Sequence, residues 1–179
     1  KNLYRPFLIL SLVLVYLVIL AGAIVRMTGS GMGCPDWPKC FGYLIPPTER
    51  AQLNWKPNHQ YKNGQVIIVD ESLRVASDDF KSKTTYSESN WEPYTKHDYA
   101  VFNPTHTWIE FINRLLGALA GLATLLLLIS ALVRFRLDRI ATIGSFIVVL
   151  GMGFQGWLGK LVVDSNLLAY KISICLLYT

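Results

Sequence analysis

The sequence predicts an all-α membrane protein, a four-helix transmembrane bundle with a long extracytoplasmic loop between its first two helices. Two observations carry this prediction before any motif is considered. Of the 179 residues, 52% are hydrophobic and only 16% are charged, which is too apolar for an ordinary soluble domain. The apolar residues are also gathered into long uncharged runs with basic residues at their ends, which is typical of transmembrane helices.

Three apolar runs are long enough to cross a bilayer as helices. They are Pro6–Val25, Leu115–Val133 and Ile140–Gly159, of 20, 19 and 20 residues. At about 1.5 Å per residue, each run spans the hydrocarbon layer of about 30 Å. The first run is longer than the apolar part of a signal peptide and leads into Arg26, so we interpret it as a retained helix.

A fourth run starts at Leu167 and reaches Thr179 before it could cross the membrane, so we expect a truncated fourth helix. The whole chain, residues 1–179, is then one four-helix unit. Its predicted transmembrane helices lie at about 6–26, 104–133, 140–159 and from 167, and the outer loop covers about 27–103.

The distribution of charge predicts the orientation in the membrane. Residues 27–113 carry a net charge of −2, whereas the remainder carries +7. Short basic segments remain in the cytoplasm. The basic residues before helix one and between helices two and three therefore predict a multi-pass protein of the inner (plasma) membrane with a cytoplasmic N-terminus; they are Lys1, Arg5, Arg134, Arg136 and Arg139. The positive balance is a topology signal and gives no indication of nucleic-acid binding.

The outer loop opens with TGSGMGCPDWPKC, residues 28–40, in which Cys34 and Cys40 are six positions apart. Outside the cytoplasm such a pair can persist as a disulfide. Closing this small ring contributes about 2 kcal/mol in the chain-entropy model, which suits local stiffening of the loop. Two interpretations remain open, a structural crosslink and a redox-active pair. Further along, QVIIVD at 65–70 predicts a short strand, and we expect a small ordered cap with one strand pair.

Helix two carries a polar stripe. Asn103 and Pro104 predict its start, and His106, Glu110 and Arg114 then follow at every fourth position. At about 100° per residue these side chains share a stripe roughly 100° wide. The same stripe also holds Asn113, Gly117 and Gly121.

A carboxylate such as Glu110 in a membrane helix costs about 2.5–3.5 kcal/mol on insertion scales, which makes it a functional candidate. The alternative is an ion pair between Glu110 and Arg114 at the interface. The glycines Gly117 and Gly121 indicate either close helix packing or a slot for a flat ring. Helix three offers a matching segment, GMGFQGWLG at 151–159, for which packing against another helix is the alternative.

Three segments together resemble the N-terminal half of heme A synthase, in the form found in Bacteroidetes. They are VRMTGSGMGCPDWPKCFGYLIPP (25–47), HTWIEFINRLLGALAG (106–121) and QGWLGKLVVDSNL (155–167). The resemblance implies half of an eight-helix fold built from two related four-helix bundles. It also implies an oxidoreductase that converts a methyl group of heme O to the formyl group of heme A for cytochrome oxidase assembly. A heme b cofactor is then expected in the C-terminal half, which is absent here.

The resemblance also assigns site residues. The essential glutamate of the family matches Glu110, and its disulfide matches Cys34 and Cys40. Two heme-facing positions depart from the family, because Asn113 and Cys175 stand where many members have histidines. His106 is then the candidate iron ligand, although it lies about 10 Å from Asn113 along the helix and would place the heme further outward.

Cations near the outer boundary are candidate partners for the heme propionates. Arg26, Arg114 and Lys160 lie there, and Arg114 also belongs to the expected heme-binding set. The expected partners are heme O, membrane lipid and the missing C-terminal half, together with heme O synthase and cytochrome oxidase assembly factors. We expect this half to be inactive without the other.

Two other functions fit parts of the sequence. A quinone-linked membrane thiol oxidase would use Cys34 and Cys40, but it would need a second reactive pair, and Cys175 is the remaining cysteine. A non-catalytic, heme-carrying assembly subunit would bind heme without turning it over. Heme titration separates the first alternative from the second.

Overall fold

A computed structural model describes residues 3–94, 102–133 and 139–164. They divide into two compact units. Of the described residues, the helical unit comprises 3–28, 112–133 and 139–162, and the loop unit comprises 29–94, 102–111 and 163–164. The predicted fourth helix, the basic link at 134–138 and Cys175 lie outside the described residues.

Three helices in the described ranges are long and apolar enough to span a membrane. They are α1 (Tyr4–Thr28, 25 residues), α2 (Pro104–Leu132, 29 residues) and α3 (Arg139–Asp164, 26 residues). Most of their large apolar side chains are exposed, and Ser11 is the one buried residue of α1. Apolar surface on this scale requires lipid or further protein around it, so the prediction of a mostly helical membrane protein is confirmed.

Helix α2 begins where the sequence predicts. The side-chain oxygen Oδ1 of Asn103 accepts hydrogen bonds from the backbone amides of Thr105 and His106, at 3.0 and 3.4 Å. These amides have no partner within the helix, and Pro104 has no N–H to satisfy. The cap therefore fixes the first turn of α2, and with it the direction in which the following side chains point.

Small residues line the buried face of α2 in the helical unit. The hydroxyl of Thr142 on α3 donates a hydrogen bond of 3.1 Å to the carbonyl oxygen of Ala131 on α2. On the other side, a methyl group built on Gly22 of α1 would lie 3.9 Å from Oδ1 of Asn113. Close approach at small side chains is how membrane helices associate. The residues of α2 buried in this unit are Ala120, Ala123, Thr124, Leu127 and Ala131.

The loop unit is a small β structure with two antiparallel sheets. One pairs β1 (Gln60–Tyr61) with β4 (Phe80–Lys81), and the other has the strand order β2-β3-β5, with β2 at Val66–Val69, β3 at Ser72–Ala76 and β5 at Trp91–Pro93. The strand predicted at 65–70 is confirmed as β2. Its partner β3 pairs Val66 with Val75 and Val69 with Ser72.

The core of the loop unit explains why a segment of mixed polarity is ordered. Its buried apolar residues form two clusters, one around Leu53 and Val66 and the other around Tyr61 and Ile67. Leu53 and Ile67 are fully buried. Burial raises the pKa of the Tyr61 hydroxyl, which accepts a hydrogen bond from the Lys56 amide. The first cluster includes Cys34 and Cys40, so the predicted disulfide region is part of this core.

Candidate active site

A disulfide joins Cys34 and Cys40 and closes a small ring, as the sequence predicts. Both cysteines are only 1% exposed. Inside the ring, the carboxylate of Asp36 accepts hydrogen bonds from the amides of Phe41 and Gly42, at 2.5 and 2.8 Å. These two residues have positive φ angles of 56° and 78°, which is a conformation that needs such support at a non-glycine residue. The aspartate therefore stabilises the turn that leaves the ring.

The ring is attached to the sheet on one side. A Cβ built on Gly42 would overlap the backbone of Gly64 and Gln65, so the chain at this point touches the segment just before β2. The amide of Val66 also donates to the carbonyl oxygen of Phe41 at 3.1 Å. The hydroxyl of Tyr94 donates to the carbonyl oxygen of Pro35. Because the ring has these contacts in addition to the disulfide, it is a fixed part of the loop unit.

On its other side the ring contacts the first turns of α2. A Cβ built on Gly33 would lie 2.5 Å from the backbone carbon and oxygen of His106, which is closer than any real side chain permits. The hydroxyl of Thr107 donates to the carbonyl oxygen of Gly33 at 2.8 Å. The sulfur of Cys34 lies 3.8 Å from the carbonyl oxygen of Thr107. Only glycine allows this approach of two backbones.

The contact ends at the predicted glutamate. Oxygen Oε2 of Glu110 accepts a hydrogen bond of 2.8 Å from the backbone amide of Cys34, and the Glu110 side chain is only 4% exposed. Hydrogen bonds to an ionised acceptor are among the stronger ones in proteins, and removal from water strengthens them further. The arrangement thus holds a carboxylate in a dry position at the start of a membrane helix. Such a group can stabilise developing positive charge or accept a proton.

Sequence reasoning identified Glu110, Cys34 and Cys40 but did not connect them. It missed Thr107 and Gly33 as residues of the site. One weak feature of the sequence could have indicated Thr107: it precedes Glu110 by three positions, which places both residues on one face of the helix. Gly33, which the structure uses for close contact with α2, carries no such signal in the sequence.

The remaining candidates on α2 are less buried. His106 is half-buried in the loop unit, and Asn113 and Arg114 are half-buried in the helical unit. Oxygen Oδ1 of Asn113 is buried and has no hydrogen-bond partner among the described residues. A methyl group built on Gly117 or Gly121 would meet open space. These glycines therefore do not serve close packing against another described helix.

The other predicted cations lie at the ends of helices. Arg26 belongs to the last turn of α1, and Lys160 lies one turn before the end of α3; both are exposed. Their assignment to heme propionates stays a prediction. No group of three or more histidine, cysteine, aspartate or glutamate side chains that could hold a metal ion occurs in the part of the chain that the structure describes. A heme iron takes only one or two side chains as axial ligands, so His106 stays a candidate iron ligand.

Comparison with known proteins agrees with the resemblance noted in the sequence. The model of the COX15-CtaA family, described as cytochrome oxidase assembly protein, matches residues 5–178. The chain is 30% identical over 159 residues to a heme A synthase of Shewanella oneidensis, an alignment that covers 89% of this chain and 36% of the relative. No solved structure matches.

Two further relatives show the same partial coverage. A heme A synthase of Flavobacterium johnsoniae is 29% identical over 87% of this chain and 39% of its own length. One of Rickettsia prowazekii is 26% identical over 94% of this chain and 42% of its own length. The chain thus spans about two-fifths of the length of the relatives it matches. Because the family model matches nearly every residue, the chain belongs to the COX15-CtaA family of cytochrome oxidase assembly proteins, whose members include the heme A synthases.

Proposed function

We propose that this chain is the heme O-binding part of a heme A synthase, which oxidises a methyl group of heme O to the formyl group of heme A for cytochrome oxidase assembly. The observation that carries the proposal is the buried carboxylate of Glu110, held by the amide of Cys34 near the start of α2. Placing a carboxylate in a membrane helix carries a large free-energy cost, so such a residue is a candidate for a functional role. The relatives are named heme A synthase, which supports heme A as the product.

In this proposal Glu110 acts on the carbon that is oxidised. Conversion of a methyl to a formyl group passes through a hydroxymethyl group, whose oxygen comes from water. Each of the two oxidations removes two electrons and two protons, one hydrogen from the carbon and one proton from the oxygen, and the electrons pass to a redox acceptor outside this chain. The carboxylate of Glu110 stabilises positive charge developing at that carbon, or accepts the proton of a water molecule that adds to it. Heme b, expected in the C-terminal half, would supply redox chemistry when bound.

In this proposal the heme lies against the part of α2 that continues into the membrane. Gly117 and Gly121 leave room for it, and the amide of Asn113 offers a polar partner. We propose His106 as the iron ligand in this chain; because it lies 11 positions, or about 16 Å, before Gly117 along the helix axis, this ligation would hold the heme further outward than a position at the two glycines. The propionates, which are anionic, would take as partners the cations Arg26, Arg114 and Lys160.

The proposed location is the inner membrane, with the N-terminus in the cytoplasm and the loop unit outside. A cysteine at Thr85, which is exposed, is expected to react with an impermeant maleimide added to intact cells. A cysteine at Asp138, in the basic link, is expected to react only after the cells are opened. Both variants carry Cys175→Ser so that no native thiol competes. Labelling of Asp138→Cys but not Thr85→Cys in intact cells would reverse the proposed orientation.

A thiol oxidase is disfavoured by the burial of its proposed active pair. A disulfide that oxidises an external thiol must be reached by that thiol, and Cys34 and Cys40 are each 1% exposed. The structural interpretation of the crosslink, left open by the sequence, is the one we adopt.

The test of the proposed function uses a chimera in which this whole chain replaces the matching part of the Shewanella oneidensis heme A synthase. Cells that make heme O but lack their own synthase are supplied with the chimera, and their hemes are extracted and separated by chromatography. We expect heme A to appear. A chimera that binds heme O, seen by visible spectroscopy, but forms no heme A or hydroxylated heme would favour the non-catalytic carrier instead.

A further inference from the structure

We infer that the peptide group between Gly33 and Cys34 is a clamp that positions the carboxylate of Glu110, and that the hydroxyl of Thr107 is the positioning group that holds the clamp. The inference rests on the proposed function, because it assigns a role in the reaction to residues that do not touch the substrate. It concerns only residues of the loop unit.

Both ends of this one peptide group are held by α2. Its carbonyl oxygen, on Gly33, accepts a hydrogen bond of 2.8 Å from the hydroxyl of Thr107. Its amide, on Cys34, donates a hydrogen bond of 2.8 Å to Oε2 of Glu110. A peptide group is planar, so fixing the direction of the carbonyl also fixes the direction of the N–H. The Thr107 hydroxyl therefore aims the donor that holds Glu110.

The clamp is dry. Thr107 and Cys34 are each 1% exposed, and Glu110 is 4% exposed. Water cannot easily replace either hydrogen bond at such burial, so losing the hydroxyl leaves the Gly33 carbonyl without that donor. Two further contacts hold the same peptide: the α-carbon of Gly33 abuts the backbone of His106, and Cys34 is tied into the disulfide ring.

The clamp would assist catalysis by fixing the orientation of the Glu110 carboxylate. A glutamate side chain has three rotatable bonds, and it loses rotamer freedom when one oxygen is fixed. Because the donor belongs to a rigid peptide rather than to a mobile side chain, the carboxylate is placed before the substrate arrives. Misplacement of a reacting group by about 1 Å can lower a rate by about a hundredfold.

The first arm of the test measures the clamp in the chain itself, without any activity. Hydrogen exchange at the Cys34 amide is followed by mass spectrometry in detergent. Thr107→Val, which has the same shape without the hydroxyl, is expected to accelerate this exchange by roughly three- to tenfold. Thr107→Ser keeps the hydroxyl and is expected to restore slow exchange. Glu110→Ala, which removes the acceptor, is expected to accelerate it as well.

The second arm measures heme conversion in the chimera described above. Thr107→Val is expected to bind heme O normally and to form heme A about ten- to a hundredfold more slowly, with the same unconverted hemes that build up in Glu110→Gln. Thr107→Ser is expected to recover most of the rate. Thr105→Val is the matched control, since Thr105 is exposed two positions away on the same turn, and it should behave as the unchanged protein.

The outcomes separate the inference from the proposed function. If the unchanged chimera forms no heme A, the proposed function fails, while the exchange measurements still decide whether the clamp exists. Unchanged exchange at Cys34 in Thr107→Val overturns the inference. So does normal heme A formation by Thr107→Val alongside an inactive Glu110→Gln. A loss of heme A that only follows a loss of protein or of bound heme O in Thr107→Val would assign Thr107 a purely structural role and also overturn it.

Discussion

Glu110→Gln is expected to stop heme A formation in the chimera while heme O remains bound. Glutamine keeps the length of the side chain, and its carbonyl oxygen can still accept the hydrogen bond from Cys34, so the local structure should survive. What it lacks is the negative charge and the basic oxygen. Removing a positioned acid or base lowers a rate by about a hundredfold or more. Extracted hemes should therefore contain heme O or a hydroxylated form in place of heme A.

The size of the effect decides between chemistry and packing. If Glu110 served only in the structure, through its hydrogen bond with Cys34 or as an ion-pair partner of Arg114, Glu110→Gln would leave heme A formation by the folded protein nearly unchanged. Glu92→Gln is a suitable control, because Glu92 is exposed on β5 in the same unit. Normal heme A yield from Glu110→Gln would remove this residue from the mechanism. The next candidate would then be His106, which lies on the same face of α2 and can also accept a proton.

The sequence predicted those features that depend on local composition. The spans of α1, α2 and α3 follow from runs of apolar residues, because only a hydrogen-bonded helix satisfies the backbone in lipid. Glu110 was identified because a charged side chain in a membrane helix carries a large free-energy cost. The start of α2 followed from Asn103 and Pro104, and the structure has the predicted cap.

The features that escaped prediction depend on contacts between distant segments. Gly33 and Thr107 are 74 positions apart, and no pattern in either segment indicates the other. The turn between β2 and β3 was also unrecognised. Its residues Asp70 and Glu71 both have positive φ angles, 47° and 59°, although neither is glycine. Such turns usually contain asparagine or glycine, so the sequence lacked the usual hairpin signal.

Gly33→Ala is expected to have the second large effect, because it separates the loop from α2. The added Cβ would lie 2.5 Å from the backbone carbon and oxygen of His106 and 2.7 Å from the amide nitrogen of Thr107. These are backbone atoms of a helix and cannot move aside. We therefore expect the peptide between Gly33 and Cys34 to be displaced, so that both of its hydrogen bonds to α2 are lost.

The backbone conformation of Gly33 rules out backbone strain as the cause of any destabilisation in Gly33→Ala. Its φ and ψ are −68° and −22°, which alanine adopts readily. A substitution of glycine by alanine at such a position normally stabilises a protein by about 0.4–1 kcal/mol, through the unfolded chain. Overpacking of a close contact instead costs about 1–3 kcal/mol. The sign of the change in stability thus reports directly whether the contact with α2 exists.

Thermal unfolding, reduction of the disulfide and heme conversion would all be measured on Gly33→Ala. We expect a lower melting temperature, faster reduction of the bond between Cys34 and Cys40 by dithiothreitol, and loss of heme A at least as large as in Thr107→Val. Gly144→Ala on α3 is the control, since its added methyl group would meet open space. That variant should be unchanged or slightly more stable. If Gly33→Ala is also more stable and forms heme A normally, the loop does not pack on α2 at this residue, and the positioning of Glu110 must come from another part of the protein.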